Sequence, residues 1–185
     1  MTAFFHPLPA STYFKTSSCL LEPQRLKAIL ASVSPEKSPA APVILCVGTD
    51  RIIGDCLGPL VGTMVEKGAK GQLPVFGTLQ HTVHALNLCE TIREIKKKHP
   101  GCITIAVDAS LGSYEQIGTA LIRPGCLRPG AGVHKNLPEI GDISITGITN
   151  SESSQPYLDL QTARLSTVSS IADYICQCIL DVCLS

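Results

Sequence analysis

No excess of either charge sign marks this chain: 15 basic and 15 acidic residues balance over 185 positions. Its one basic block is Lys96-Lys97-Lys98, which ends a predicted helix, where cations complement the dipole. That balance argues against nucleic acid as a partner. No apolar run approaches the ~20 residues that a bilayer span requires, so a membrane partner is not expected either. Although there are nine cysteines, no Cys-x-x-Cys pair occurs. Residues Met1 to Ala10 have no early Lys or Arg and are broken by prolines, which is not the pattern of a signal peptide. Without an export signal, the thiols are expected to be reduced and mostly buried, and the chain cytoplasmic. Cys46 and Cys102 sit in apolar, strand-like runs, and Cys176 and Cys178 on the last helix. Cys56 differs because it adjoins an acidic loop, where a reactive thiol is a minor alternative.

What is present is apolar and periodic. At 44% hydrophobic residues, the chain suits one folded domain with a real core. Residues 1–42 are read as an N-terminal arm with a short helix (22–33) and a Ser/Pro/Ala linker (34–42); residues 43–185 form the domain. Val43 to Val47 is a continuous apolar run, the pattern of a strand covered on both faces. A Gly-rich loop, 48–58, follows, with Pro59 in the first turn of a helix reaching Gly68. The pattern repeats with a short strand at 75–78, a helix over 83–98 and a buried strand at 102–107 ending at Asp108. Strands alternating with helices imply a parallel sheet. After Gly118 the rhythm changes: 119–123 reads as an antiparallel strand, 143–148 as one more strand, and 165–184 as a closing helix. Its polar stripe, Asp173, Gln177 and Asp181, is narrow. The sum is an α/β fold, a three-layer α/β/α sandwich with a mostly parallel sheet of about five strands, one of them antiparallel. The broad apolar surface of the last helix raises the expectation of a partner subunit, a homodimer.

Loops at the C-terminal ends of parallel strands build the sites of such folds. Two of them carry a carboxylate: Gly54-Asp55-Cys56-Leu57-Gly58-Pro59 after the first core strand, and Ala106-Val107-Asp108-Ala109-Ser110 at the end of the third. Either aspartate alone reads as a turn former or cap. On adjacent strands, the two point to paired acid–base chemistry. The glycines at 48, 54 and 58 fit neither a dinucleotide nor a Walker spacing, and a carboxylate among them would repel phosphate. Asp50 and Arg51 read as a loop-bracing pair, or as substrate contacts. His81 and His84 read as capping or packing residues at the start of the second helix. Arg128 to Asn136 is a Gly-rich loop in which Gly130 and Gly132 can turn backbone N–H groups toward a substrate carbonyl, and which carries His134.

Val43-Ile44-Leu45-Cys46-Val47-Gly48, then Gly54-Asp55-Cys56-Leu57-Gly58-Pro59, with Ala106-Val107-Asp108-Ala109, resemble the germination protease of spore-forming bacteria. They resemble still more closely the short sporulation proteins related to that enzyme, to which Gly48-Thr49-Asp50-Arg51 followed by the 54–62 motif is specific. Arg128 to Val133 is similar to the protease's Pro-Gly-Ser-Gly loop, and the likeness covers roughly 43–179. The resemblance implies an atypical aspartic peptidase without a cofactor, acting on small spore proteins during sporulation or germination in the developing spore or mother cell. Its two acidic residues fall on Asp55 and Asp108. A more distant similarity, to hydrogenase maturation endopeptidases, implies the alternative of a divalent metal such as nickel or zinc, held by Asp55, Asp108 and His134. A third reading is a non-catalytic module that binds peptides or assembles during sporulation. The partner in all three is a protein or peptide.

Overall fold

The computed structural model describes residues 19–34, 37–38, 40–129 and 138–185. Five strands form one sheet in the order β2-β1-β3-β5-β4. They are β1 (Val43–Cys46), β2 (Val75–Phe76), β3 (Thr104–Gly112), β4 (Ala120–Pro124) and β5 (Ile143–Ser151). β2, β1, β3 and β5 run parallel, and β4 is antiparallel to β5. β1 is buried at every position, as its unbroken apolar run predicts for a strand with neighbours on both edges and helices on both faces.

Helices α1 (Pro23–Val33), α2 (Leu57–Ala69) and α5 (Leu165–Cys183) cover one face. α3 (Leu88–Lys98) covers the other, with Leu88 and Ile95 against Val43, Leu45 and Val47. The architecture is the expected three-layer sandwich. In α5, Val168, Ile171, Ile175 and Ile179 are buried at helical spacing, each contributing roughly 1.5–3 kcal/mol. The stripe of Asp173, Gln177 and Asp181 faces solvent. The apolar surface that suggested a second subunit is largely covered within the chain by α1, α2 and β5. Tyr174 donates its hydroxyl to the Leu21 carbonyl at 2.7 Å. Among the described residues no helix is long and apolar enough to cross a membrane.

Three elements depart from expectation. α3 starts at Leu88, not Val83. Val83 is spent on a parallel bridge to Val47. Asn87 then stops the helix from starting earlier, because its Oδ1 accepts the His84 N–H at 2.7 Å and its Nδ2 donates to the Thr82 carbonyl at 2.8 Å. β3 does not end at Asp108 but continues to Gly112, because β5 is nine residues long and pairs with it throughout. Cys102, half-buried, lies before β3 rather than in it. A further short helix, α4 (Pro156–Gln161), lies against the turn that carries Asp55.

Candidate functional site at the carboxyl edge of the sheet

The site starts from two glycines. Gly48 follows β1 with φ +145°, and a Cβ there would sit 2.1 Å from the Asp55 carbonyl oxygen. At Gly58 a Cβ would lie 2.0 Å from the Val47 carbonyl oxygen. Only glycine lets the loop fold back so tightly. The result is a 3₁₀ turn, Gly54–Cys56, seated on the end of β1 and leading straight into α2. The Thr49 N–H donates to the Asp55 carbonyl at 3.2 Å, and the Thr49 hydroxyl accepts the Arg51 N–H at 3.4 Å. Thr49 therefore braces this loop. Asp50 and Arg51 are exposed at its tip and form no ion pair with one another, so the bracing role expected of them falls to Thr49.

Asp55 and Asp108 are both 0% exposed. The turn carrying Asp55 packs against β3, so the two residues lie at the same edge, one on the turn after β1 and the other on β3. Asp108 immediately follows the last β1–β3 pair, Cys46–Val107, where β1 has ended but β5 still supports the strand. Its Oδ1 accepts the Ala109 N–H at 2.8 Å. Asp108 thus sits on a rigid strand and not in a loop, a better platform for a positioned side chain. Moving two carboxyl groups out of water is costly, and close like charges resist joint ionisation.

The other predicted residues divide. His81 is exposed and exchanges hydrogen bonds with Thr78 through its backbone; the His84 ring accepts the Leu86 N–H at 3.3 Å. Both hold the turn before α3, at this same edge, since the Gly48 N–H donates to the Val83 carbonyl at 2.8 Å. Gly130, Gly132 and His134 lie outside the described residues. The stems of their loop are tied by a bridge between Leu127 and Ile140 and by the exposed Arg128–Glu139 ion pair at 2.5 Å. Leu127 and Ile140 pack with Ala106 on the α3 face, the face to which Asp108 also points, two residues on along the strand. Among the described residues no three His, Cys, Asp or Glu side chains group to hold a metal. Cys56 is buried and donates to the Ile53 carbonyl at 3.0 Å; burial pushes its thiol up from the usual range, the opposite of what a nucleophilic cysteine needs.

Not anticipated were the buried hydroxyls around Asp108. Ser110, Ser144, Thr146 and Thr149 are all at most 4% exposed. The signal was visible in β5, Ile-Ser-Ile-Thr-Gly-Ile-Thr, whose alternation reads as one wet face. In fact both faces of this strand are buried. A cleft of about 410 Å³ lies at the opposite edge of the sheet, lined by Lys37, Leu45, His99, Thr104 and Asp142 among others. It is separate from the acidic pair, and two of its lining residues, Lys37 and Asp142, form an ion pair at 2.8 Å.

The chain has the fold of the [NiFe] hydrogenase maturation protease HycI from Thermococcus kodakarensis KOD1, with a TM-score of 0.57 over 86% of this chain and 99% of that one, at 16% identity. It is 42% identical over 155 residues to the "Uncharacterized protein YyaC" of Bacillus subtilis (strain 168), covering 83% of this chain and 75% of that protein. A family model described as "Protein of unknown function (DUF1256)" matches residues 20–178, which include all five strands and both aspartates, and the chain belongs to that family.

Proposed function

We propose that the chain is a peptidase whose reaction centre is formed by Asp55 and Asp108. The observation that carries this reading is the complete burial of both aspartates at one carboxyl edge of the sheet, in a fold shared with a protease. In this reading the two carboxyl groups share one proton, as neighbouring buried carboxylates do. One then takes a proton from the attacking water while the other protonates the leaving amine. Asp50 and Arg51, exposed on the loop that carries Asp55, contact the substrate chain. The resemblance of the two acidic motifs to the germination protease makes small spore proteins the first substrates to assay.

A second reading draws on the relation in fold to a protease of [NiFe] hydrogenase maturation: a divalent ion at the same pair. The described residues do not by themselves complete such a set, so no step is assigned to a metal. His134, between stems anchored on the Asp108 face, would be its third ligand.

The deciding experiment incubates the purified full chain with a degenerate peptide library and with small acid-soluble spore proteins, with and without a chelator, and reads products by mass spectrometry. Internal cleavage that survives chelation supports the carboxylate pair. Cleavage lost to the chelator and restored by nickel or zinc moves the chemistry to a metal. Peptide capture with no cleavage at all refutes the peptidase reading in favour of a binding module.

A further inference from the structure

Asp108 stands in a row that runs across the sheet. It pairs in register with Thr146 of β5, and Thr146 in turn with Leu121 of β4. Side chains at paired positions of neighbouring strands point to the same face, on backbones ~4.8 Å apart. Thr146 is therefore the side chain standing directly beside Asp108. It is 4% exposed.

The buried hydroxyls of this region are not equivalent. Ser110 donates to the Leu111 carbonyl at 3.2 Å, Ser144 to the Arg123 carbonyl at 3.5 Å, and Thr149 to the Ser110 carbonyl at 3.5 Å. Each is occupied with a neighbouring backbone group. Among the described residues the Thr146 hydroxyl has no hydrogen-bond partner, and its oxygen stays within reach of solvent. Valine would fill the same strand position with no hydroxyl to satisfy. A hydroxyl at this place has use for its donor and two acceptor sites only if something beside Asp108 takes them up.

We infer that Thr146 positions the attacking water. The hydroxyl of Thr146 and the carboxylate of Asp108 hold one water between them, so that its proton faces the aspartate and its lone pair faces the substrate carbonyl. The proton passes to Asp108 as the C–O bond forms, and the second carboxyl group supplies a proton to the departing nitrogen. This role rests on the proposed peptidase reading, and adds to it a residue that neither acidic motif contains. Gly147 fits the same picture. A Cβ there would press on Leu57 and Ile171, at 2.4 and 2.7 Å, so the backbone beside Thr146 is clamped onto the opposite core and its hydroxyl has a fixed origin.

The test compares Thr146→Val and Thr146→Ser in the full chain by two readouts. High-resolution crystal structures should show an ordered water bonded to both Thr146 Oγ1 and an Asp108 carboxylate oxygen, kept in Thr146→Ser and lost in Thr146→Val. In the peptide-cleavage assay, Thr146→Val should lower kcat roughly 10–100-fold, the worth of one hydrogen bond to a charged or reacting group, with KM little changed and Thr146→Ser restoring the rate. A protein group bonded to Thr146 Oγ1 in place of water, or full activity in Thr146→Val, overturns the inference. If the wild-type chain cleaves nothing, the peptidase reading fails by itself, and the water in the crystals still decides the role of Thr146.

Discussion

Gly58 and Gly68 lie on the same helix, α2, and the same change to alanine should act on them in opposite directions. At Gly58 the added Cβ would lie 2.0 Å from the Val47 carbonyl oxygen, 2.8 Å from its carbon and 3.0 Å from its nitrogen. All three are backbone atoms of the chain leaving β1, so no rotamer change relieves the contact. The first turn of α2 must move by about 1 Å to reach even a tight separation. Overpacking of this kind costs ~1–3 kcal/mol, and a rigid backbone contact belongs at the upper end. The better helix propensity of alanine returns ~1 kcal/mol, leaving a net loss of ~2 kcal/mol. At Gly68 the nearest atom, at 2.5 Å, is a methyl of the Leu180 side chain, which can swing aside. There the propensity gain dominates, and Gly68→Ala should be neutral or stabilising by up to ~1 kcal/mol. A gap of ~2–3 kcal/mol between the variants separates their urea midpoints by ~1 M or more, given usual slopes. Gly58→Ala should also lose cleavage, because the displaced turn carries Asp55. Equal midpoints would refute the claim that Gly58 holds the acidic turn against the end of β1.

Further outcomes follow from the surroundings of individual side chains. Burial raises the thiols of Cys46, Cys56, Cys176, Cys178 and Cys183, the last to about 11. The unfolded chain therefore releases protons at an ordinary thiol value near 9.0 that the folded chain keeps. Stability is full below that pH and falls as pH rises toward 11, and urea midpoints at pH 8 and pH 10.5 should show it, with a shallower fall in Cys183→Ala. Asn87→Ala, by removing both side-chain bonds of the 82–87 turn, should cost ~1–2 kcal/mol in the same assay, whereas Arg128→Ala, which breaks only an exposed ion pair, should change stability by less than ~1 kcal/mol. Cys56→Ala should keep full activity in the cleavage assay; its loss would return the nucleophilic thiol to consideration.

Sequence alone carried the layers, the parallel core and the antiparallel strand, because apolar runs such as Val43 to Val47 have few other places to be. The acidic edge was legible for the same reason: Asp55 lies in the loop after one buried run, and Asp108 directly follows another. The start of α3 was misread because Val83 and His84 fit a helical period locally, while the bridge from Val83 to Val47 is a non-local contact that no window reveals. β3 was cut short at Asp108 because an aspartate looks like a strand end, and only its pairing with β5 carries it onward. The same long-range pairing hid Thr146. Serine and threonine alternating with isoleucine read as an exposed face, and their burial beside Asp108 depends on which strands flank β5.

If Asp55 and Asp108 act as one unit, cleavage by Asp55→Asn, Asp108→Asn and the double variant across pH will show it. The wild-type profile should be bell-shaped, with the pair active when it holds one proton. Each single variant should lose most activity, and the double variant should be little worse than either, since residues acting together lose function together. All three should stay folded. Cleavage that persists in a folded single variant, or variants that unfold instead of losing activity, would make the two aspartates turn formers and not a catalytic pair.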